Sequence, residues 1–194
     1  MTAIMDVIHR RRSVRDYGAE PVAKATIREL IDAATWAPSA INEQPWLFTV
    51  VDDQGLLDRI SHDAKAHMLA TAADLIPDRL KESLRDPDFH IFYHAPALIV
   101  ISAQAAGPWS VEDCALAAQN LMLAASAAGL GTCWIGFAQG WLQTGDGKKV
   151  LGLPAESVPV APIIVGHPKS VPTPVPRRAA HINWISANQA AAGH

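Results

Sequence analysis

The sequence contains few cysteines and no long uninterrupted hydrophobic run. Its only cysteines, Cys114 and Cys133, form no CxxC motif, which argues against a disulfide framework or a cysteine-based zinc site. We therefore expect two buried thiols in a reducing compartment. No apolar run is long enough to span a membrane, and the first residues lack the apolar core of a signal peptide. The sequence predicts a cytoplasmic protein without a membrane partner.

Charge of one sign is also scarce. The formal net charge is -3 and the pI is about 6.2, whereas general nucleic-acid binders usually carry a strong basic excess. We therefore expect no nucleic-acid partner. With 194 residues, of which 49% are hydrophobic, the chain can fill one core, and we predict a single domain spanning residues 1–194.

Several catalytic and nucleotide-binding motifs are missing. A GxGxxG fingerprint starting at Gly129 would need a glycine where Trp134 stands, and a Walker motif ending at Gly147-Lys148 would need one in place of Leu142. No GxSxG elbow is present, so a hydrolase has little support. These absences exclude the commonest sequence signatures of dinucleotide, nucleoside triphosphate and ester chemistry.

The acidic residues and histidines do not form a recognisable catalytic or metal centre. No carboxylate pair has a spacing typical of acid–base catalysis. His90 and His94 are four residues apart between Pro87 and Pro96, but the sequence offers no evident third ligand. We therefore predict no metal and no catalytic side chain, which leaves the chemistry to a cofactor.

The hydrophobic pattern predicts both helices and strands. Residues 70–95 are irregular, and we expect mobile helices or a lid there and no core. Pro159 and Pro162 would place the last strand at a sheet edge or make its start irregular. We predict helices near residues 4–12, 27–34, 56–69 and 112–128, the last stopped by Gly129, and strands at 47–51 (buried), 97–102 (central) and 158–165.

Residues 10–15 read RRRSVR and form the only dense basic cluster. Several guanidinium groups and a serine hydroxyl could together bind one anion of phosphate size. Arginines in the last turn of a helix also complement the helix dipole, so the sequence leaves both interpretations open.

A rigid polar turn and a glycine-rich stretch are the other two candidate sites. Pro38 and Pro45 should hold the side chains between them in place before a ligand arrives, although a plain connector with Trp46 in the core is an alternative. Residues 129–137 read GLGTCWIGF, whose glycines would let backbone N–H groups approach a planar ligand. The alternative is a helix end followed by a strand.

The C-terminal tail, residues 168–194, is rich in proline and contains Arg177 and Arg178. We expect an extended segment that either stays disordered or lies across another surface, such as a second subunit. One of these arginines could complete an anion site formed with residues 10–15.

Taken in order, RRRSVRDY, APSAINEQPW, GLGTCWIGF and PRR resemble the nitroreductase family of FMN-dependent oxidoreductases. The resemblance covers essentially the whole chain. It implies an α+β fold with a central, mainly antiparallel sheet surrounded by helices, and a homodimer that exchanges C-terminal extensions. It also implies one FMN at each of two interface sites.

The same resemblance assigns site residues by position. Arg177 or Arg178 would add a late basic contact, and the turn would reach the flavin of the other subunit. The sequence departs from the family at Ala40, where a serine is frequent, and at Phe137, where a second glycine is frequent. The cofactor-binding residues implied are Arg11, Arg12, Ser13 and Arg15 for the phosphate and ribityl chain, Pro38, Ser39, Ala40, Asn42 and Gln44 from the turn, and Trp134, Ile135 and Gly136 for the ring.

The implied activity is transfer of a hydride from NAD(P)H through FMN to a small acceptor such as a nitroaromatic or a quinone, in two half-reactions. The alternatives are a specialised flavoenzyme of the same fold, such as a reductive dehalogenase or a flavin-cleaving enzyme, and a non-catalytic flavin-binding protein.

Overall fold

The computed structural model of the protein describes residues 3–170 and 172–185. The predicted tail therefore lies partly outside the described residues, at 171 and 186–194. Residues 172–185 are exposed or partly exposed and adopt no regular secondary structure. The elements are α1 (Ala3–Arg10), α2 (Lys24–Thr35), β1 (Trp46–Val51), α3 (Gln54–Thr71), α4 (Asp78–Arg85), β2 (Ala97–Ala103), α5 (Ser110–Ala127), β3 (Gly131–Trp134), α6 (Gly136–Leu142), α7 (Gly145–Val150) and β4 (Val158–Gly166).

The four strands form one sheet in the order β1-β2-β4-β3, and every neighbouring pair is antiparallel. Helices cover both faces. This arrangement confirms the predicted α+β class with an antiparallel sheet surrounded by helices. Within the described ranges, no helix has both the length and the apolar character needed to cross a bilayer.

Alternation along the central strands divides the core into two clusters. Ile99 and Ile101 of β2 pack with α2 and α5, whereas Leu98 and Val100 point to the opposite face and pack with α3 and α6. Successive side chains of a strand point to opposite faces, so a strand covered on both sides reads as a continuous apolar run. The predicted central strand is confirmed, since every residue of β2 is buried.

The end of α5 shows why a glycine follows it. Gly129 has φ 76°, and the N–H of Leu130 donates to the carbonyl of Ala125 across 2.8 Å. A left-handed residue after the last turn allows this bond, and glycine adopts that conformation without strain. The predicted helix stop is confirmed.

The last strand is not at an edge, contrary to one of the two readings of its prolines. β4 lies between β2 and β3. Its start is irregular, because Ile101 pairs with Ala161 while Ser102 pairs with Pro159, leaving Val160 as an extra residue. A bulge of this kind accommodates a proline that cannot donate to the ladder.

The first strand is less buried than predicted. Only Trp46 and Val51, at the two ends of β1, are fully buried, and the residues between them are partly exposed. The reason is its position at the edge of the sheet. Its apolar composition alone does not distinguish an edge strand from a central one.

The expectation that residues 70–95 contribute no core is wrong. Leu84 of α4 and the three residues Ile91, Phe92 and Ala95 are almost completely buried in the cluster that contains α3. They were missed because prolines and charges interrupt the apolar residues, so neither helical nor strand periodicity develops.

Candidate functional site

The arginine segment, defined as residues 11–15, runs beside the edge strand β3. Ser13 forms a parallel bridge with Thr132, and the N–H of Val14 donates to the carbonyl of Thr132 across 3.0 Å. Gly131 makes this approach feasible, because a Cβ atom there would come within 2.8 Å of Val14 side-chain carbons. The segment is therefore extended and fixed by β3.

Alternate side chains of the arginine segment affect the pKa of one buried thiol, that of Cys133. Burial raises the pKa of Cys133, whereas Arg15, Ser13 and Arg11 each lower it. Residues two apart in extended backbone point to the same side, which explains why these three groups converge. Among residues 3–170 and 172–185, no carboxylate oxygen lies within 4.0 Å of a side-chain nitrogen of Arg11 or Arg15. Two guanidinium groups near Cys133 therefore lack a carboxylate partner within these residues.

Arg12 is placed differently. Its Nη1 donates to the carbonyls of His9, across 2.6 Å, and Arg11, across 2.9 Å, at the C-terminal end of α1. These carbonyls lack partners within the helix, so Arg12 fulfils the helix-terminus interpretation. Its Nε is buried without a hydrogen-bond partner in the described structure, and this donor remains for a ligand.

Two cavities flank the arginine segment. The smaller, about 210 Å³, is lined by Arg10, Arg11 and Arg12 on one side and by Thr132 and Pro172 on another. The larger, about 590 Å³, lies at the far end of β3, and its lining contains two cations and no carboxylate. The residues that line it are Arg15, Met68, Arg79, Leu80, Tyr93, Cys133, Trp134, Ile135, Gly136 and Phe137.

The backbone at the end of β3 and the start of α6 borders the larger cavity. The N–H of Ile135 is already used, since it donates to the carbonyl of Pro162 across 2.8 Å. Gly136 is the first residue of α6, whose initial N–H groups have no partner within the helix. A Cβ at Gly136 would meet no atom within 4 Å, so the space beside it is open.

Several residues of the larger cavity have no local signal in the sequence. Tyr93, from the segment before β2, and Arg79, from α4, lie in the irregular stretch where no periodic signal indicated their position. Burial raises the pKa of the Tyr93 hydroxyl, while the charge of nearby Arg15 lowers it. Tyr93 therefore remains a neutral hydrogen-bonding group beside Arg15.

The polar turn is stabilised by hydrogen bonds between its own residues. The backbone N–H of Gln44 donates to Ser39 Oγ, and its side-chain amide donates to Asn42 Oδ1, both across 3.0 Å. Ile41, Asn42 and Gln44 have φ values between 48° and 59°, which is uncommon for residues other than glycine. The turn is thus a strained and internally bonded structure of the kind that often forms part of a binding site.

Asp113 anchors the turn to the rest of the molecule. Its Oδ1 accepts a 2.9 Å hydrogen bond from the N–H of Ala40, and only 3% of the residue is exposed. A contact across 73 residues has no local signal, and only the packing of α5 against α2 brings the two together.

The predicted site residues do not meet within one chain. The turn leads into β1 at one edge of the sheet, and the arginine segment lies beside β3 at the other. Three strand spacings separate these edges, about 14 Å. Arg177 and Arg178 are exposed in the tail, and neither lines the cavities beside the arginine segment. The structure joins the arginine segment to residues 134–136 and separates both from the turn.

Known proteins are similar to this chain in sequence and in fold. The profile of the Nitroreductase family matches residues 8–167. The chain belongs to this family. A nitroreductase-family relative from Archaeoglobus fulgidus, provisionally named an NADH dehydrogenase/NAD(P)H nitroreductase, is 30% identical over 174 residues, 87% of each chain. An iodotyrosine deiodinase from Thermotoga neapolitana is 29% identical over 136 residues, 68% of this chain and 73% of its own.

A solved structure supports the same family assignment. The FMN-dependent nitroreductase from Clostridium difficile superposes with a TM-score of 0.80 at 25% identity, covering 95% of this chain and 99% of its own. The predicted family and its fold are therefore confirmed.

Proposed function

We propose that this protein is an FMN-dependent oxidoreductase that passes a hydride from NAD(P)H through FMN to a small acceptor such as a nitroaromatic or a quinone. One observation carries the proposal: the arginine segment is held in extended backbone against β3, which places Arg11, Ser13 and Arg15 on the same side of the segment, and neither arginine has a carboxylate within 4.0 Å among the described residues. The names of the relatives, which include FMN and NAD(P)H, support the choice of cofactor and reductant.

The donors beside β3 fit the phosphate and ribityl chain of FMN. Guanidinium groups bind phosphate oxygens through charge-assisted hydrogen bonds, and the serine hydroxyl adds a neutral donor. The buried Nε of Arg12 is a further donor without a partner in the described structure. Of the four predicted residues of this segment, Arg12 contributes least in the proposal, because its Nη1 is bonded to the carbonyls of His9 and Arg11.

The end of β3 fits the flavin ring. Trp134, Ile135 and Gly136 line a cavity to which Met68, Leu80 and Phe137 add apolar surface, which suits a planar aromatic group. The initial N–H of α6 at Gly136 would face the ring, and Arg15 would place a positive charge beside it. A fixed donor and a fixed cation stabilise negative charge that develops during the reaction.

A second copy of the chain would complete the site. The turn residues Pro38, Ser39, Ala40, Asn42 and Gln44 would then reach the partner's flavin. Large apolar side chains beside the turn are exposed, notably Trp36 at 80% and Ile41 at 85%. The described tail also exposes Trp184 and Ile185, which fits an extension that crosses a partner. We therefore propose a homodimer, with Arg177 or Arg178 reaching the phosphate from this tail.

When bound, FMN would supply the redox chemistry that joins NAD(P)H to the acceptor in a ping-pong sequence. The chain's own residues would bind FMN, orient it and polarise its ring. Arg11 and Ser13 would fix the phosphate end, and the apolar side chains of Met68, Leu80 and Phe137 would border the ring. No side-chain acid or base is required.

Steady-state assays of the purified protein with NADH or NADPH test the proposal. We expect NAD(P)H oxidation that depends on a nitroaromatic or quinone acceptor, with parallel double-reciprocal plots. Analysis of the products separates simple reduction from dehalogenation or flavin cleavage. A protein that retains flavin but turns over no acceptor would contradict the proposal and support a non-catalytic flavin-binding role.

A further inference from the structure

A cluster of two histidines and an aspartate lies outside the site described above. Asp58 belongs to α3, and His90 and His94 belong to the segment between α4 and β2. His90 Nε2 is 3.1 Å from Asp58 Oδ1, and one nitrogen or oxygen atom from each of the three residues lies within 4.8 Å of the others. The two imidazole rings have centroids 4.5 Å apart.

The fold holds these three side chains together. Ser61 Oγ accepts a 3.1 Å hydrogen bond from the N–H of Ile91, which fixes the histidine segment against α3. Tyr93 and His94 both have φ 52°, so the backbone turns sharply and brings the His94 ring back toward His90. Non-glycine residues with positive φ are uncommon and are often found at functional positions.

We propose that Asp58, His90 and His94 bind a divalent transition metal of the zinc class and thereby tie the histidine segment to α3. Imidazole nitrogen and carboxylate oxygen suit zinc, which commonly keeps water as a further ligand when three protein ligands are present. The cluster opens into a surface cleft of about 580 Å³, which leaves room for such a water. The proposal does not rest on the proposed redox function.

The chemistry of the cluster suits a divalent cation. Each histidine offers a ring nitrogen, and Asp58 adds a carboxylate oxygen and the negative charge that a divalent cation needs.

Two contacts would limit the affinity of this cluster for zinc. The N–H of Phe92 donates to His90 Nδ1 across 3.2 Å, and this bond must break because a ligating Nε2 leaves the proton on Nδ1. The ammonium of Lys65 also borders the cleft, although it donates to the carbonyls of Asp86 and Phe89. We therefore expect weaker binding than at a closed structural zinc site.

This proposal replaces the prediction of no metal. The spacing of His90 and His94 is visible in the sequence, but the third ligand is not, because Asp58 is 32 residues from His90 and lies on another element. Only the packing of the histidine segment on α3 brings the carboxylate to the pair.

Isothermal titration of the untagged, chelator-treated protein with Zn²⁺ tests the site, after checking that bound flavin is retained. We expect one Zn²⁺ per chain. His94→Asn keeps a residue that tolerates positive φ, and Asp58→Asn keeps the shape of the side chain. Each should weaken binding by at least about tenfold.

His62→Ala is the matched control, because His62 lines the same cleft but lies outside the cluster. It should bind Zn²⁺ like the unmodified chain. Zn²⁺ should also raise the melting temperature of the unmodified protein and not that of His94→Asn. Absence of saturable binding, or equal loss in His62→Ala and His94→Asn, would overturn the proposal.

Discussion

The arginine segment and the polar turn differ in how their polar groups are satisfied. The turn bonds its own polar groups, with Ser39 and Asn42 accepting from Gln44. The arginine segment directs Arg11 and Arg15 toward the same side of β3 without a carboxylate partner within the described residues.

This difference separates two contributions to a binding site. Guanidinium groups without a partner supply binding energy when an anion arrives, because charge-assisted hydrogen bonds are then formed anew. A turn whose groups are already bonded supplies shape, because its conformation is set beforehand. The arginine segment should therefore govern cofactor affinity, and the turn should govern the form of the cavity.

The largest expected effect is on cofactor binding. Arg11→Ala combined with Arg15→Ala should weaken FMN binding by about 100-fold or more, since each charged hydrogen bond contributes about 1.5–3 kcal/mol. Titration of the apoprotein with FMN measures the change. Arg28→Ala, at an exposed position of α2, is the control and should bind FMN normally. If the double variant bound FMN as tightly as the unmodified protein, the arginine segment would not govern cofactor affinity, and its contrast with the turn would be wrong.

The second effect concerns the framework of the arginine segment. Gly131→Ala should lower the free energy of unfolding by about 1–3 kcal/mol, because the new Cβ would overlap Val14. Urea denaturation measures it. Gly145→Ala is the control, since its Cβ would meet no atom within 4 Å, and its change should stay within about 0.5 kcal/mol. Equal stability of the two variants would contradict close packing of the segment on β3.

A smaller effect is expected in the turn. Ser39→Ala removes the acceptor for the N–H of Gln44 and should cost about 1 kcal/mol of stability. Ser83→Ala in α4 also removes a hydroxyl bonded to a helix carbonyl, but alanine favours the helix and should compensate. Thermal denaturation compares the two, and a Ser39→Ala variant as stable as Ser83→Ala would show that the turn is not self-supporting.

The smallest effect separates the two thiols. Burial, with the charge of Asp113, raises the pKa of Cys114 to about 12, whereas Arg15, Ser13 and Arg11 oppose the rise at Cys133. A lower pKa gives a larger thiolate fraction, so alkylation should accelerate with pH and Cys133 should react before Cys114 at pH of about 9. Mass spectrometry after iodoacetamide treatment assigns the order. Faster labelling of Cys114 would contradict the convergence of the arginine segment on Cys133.

The sequence predicted the elements whose patterns are local. The apolar run at 97–102 indicated a central strand, and the glycine at 129 indicated a helix end, because each signal lies within a few residues. The irregular segment before β2 was not predicted as core, since its buried residues Ile91 and Phe92 follow no period. One domain remains a prediction, which the two core clusters on a single sheet support.

For the same reason, the candidate site could be predicted from the sequence only in part. Its local motifs identified the arginine segment, the turn and residues 134–136. The contacts of Asp113 beneath the turn and of Tyr93 beside Arg15 could not be predicted, since they join distant parts of the chain. The sequence also does not distinguish Arg12, which is bonded to the carbonyls of His9 and Arg11, from Arg11 and Arg15.

The most direct test of the central claim is the visible absorption spectrum of the purified protein, followed by acid release and chromatography of the chromophore. The arrangement of Arg11, Ser13 and Arg15 beside β3 predicts a yellow protein that releases FMN, or takes up added FMN with saturation. A colourless protein that does not bind added FMN would contradict the assignment of the arginine segment as a flavin phosphate site.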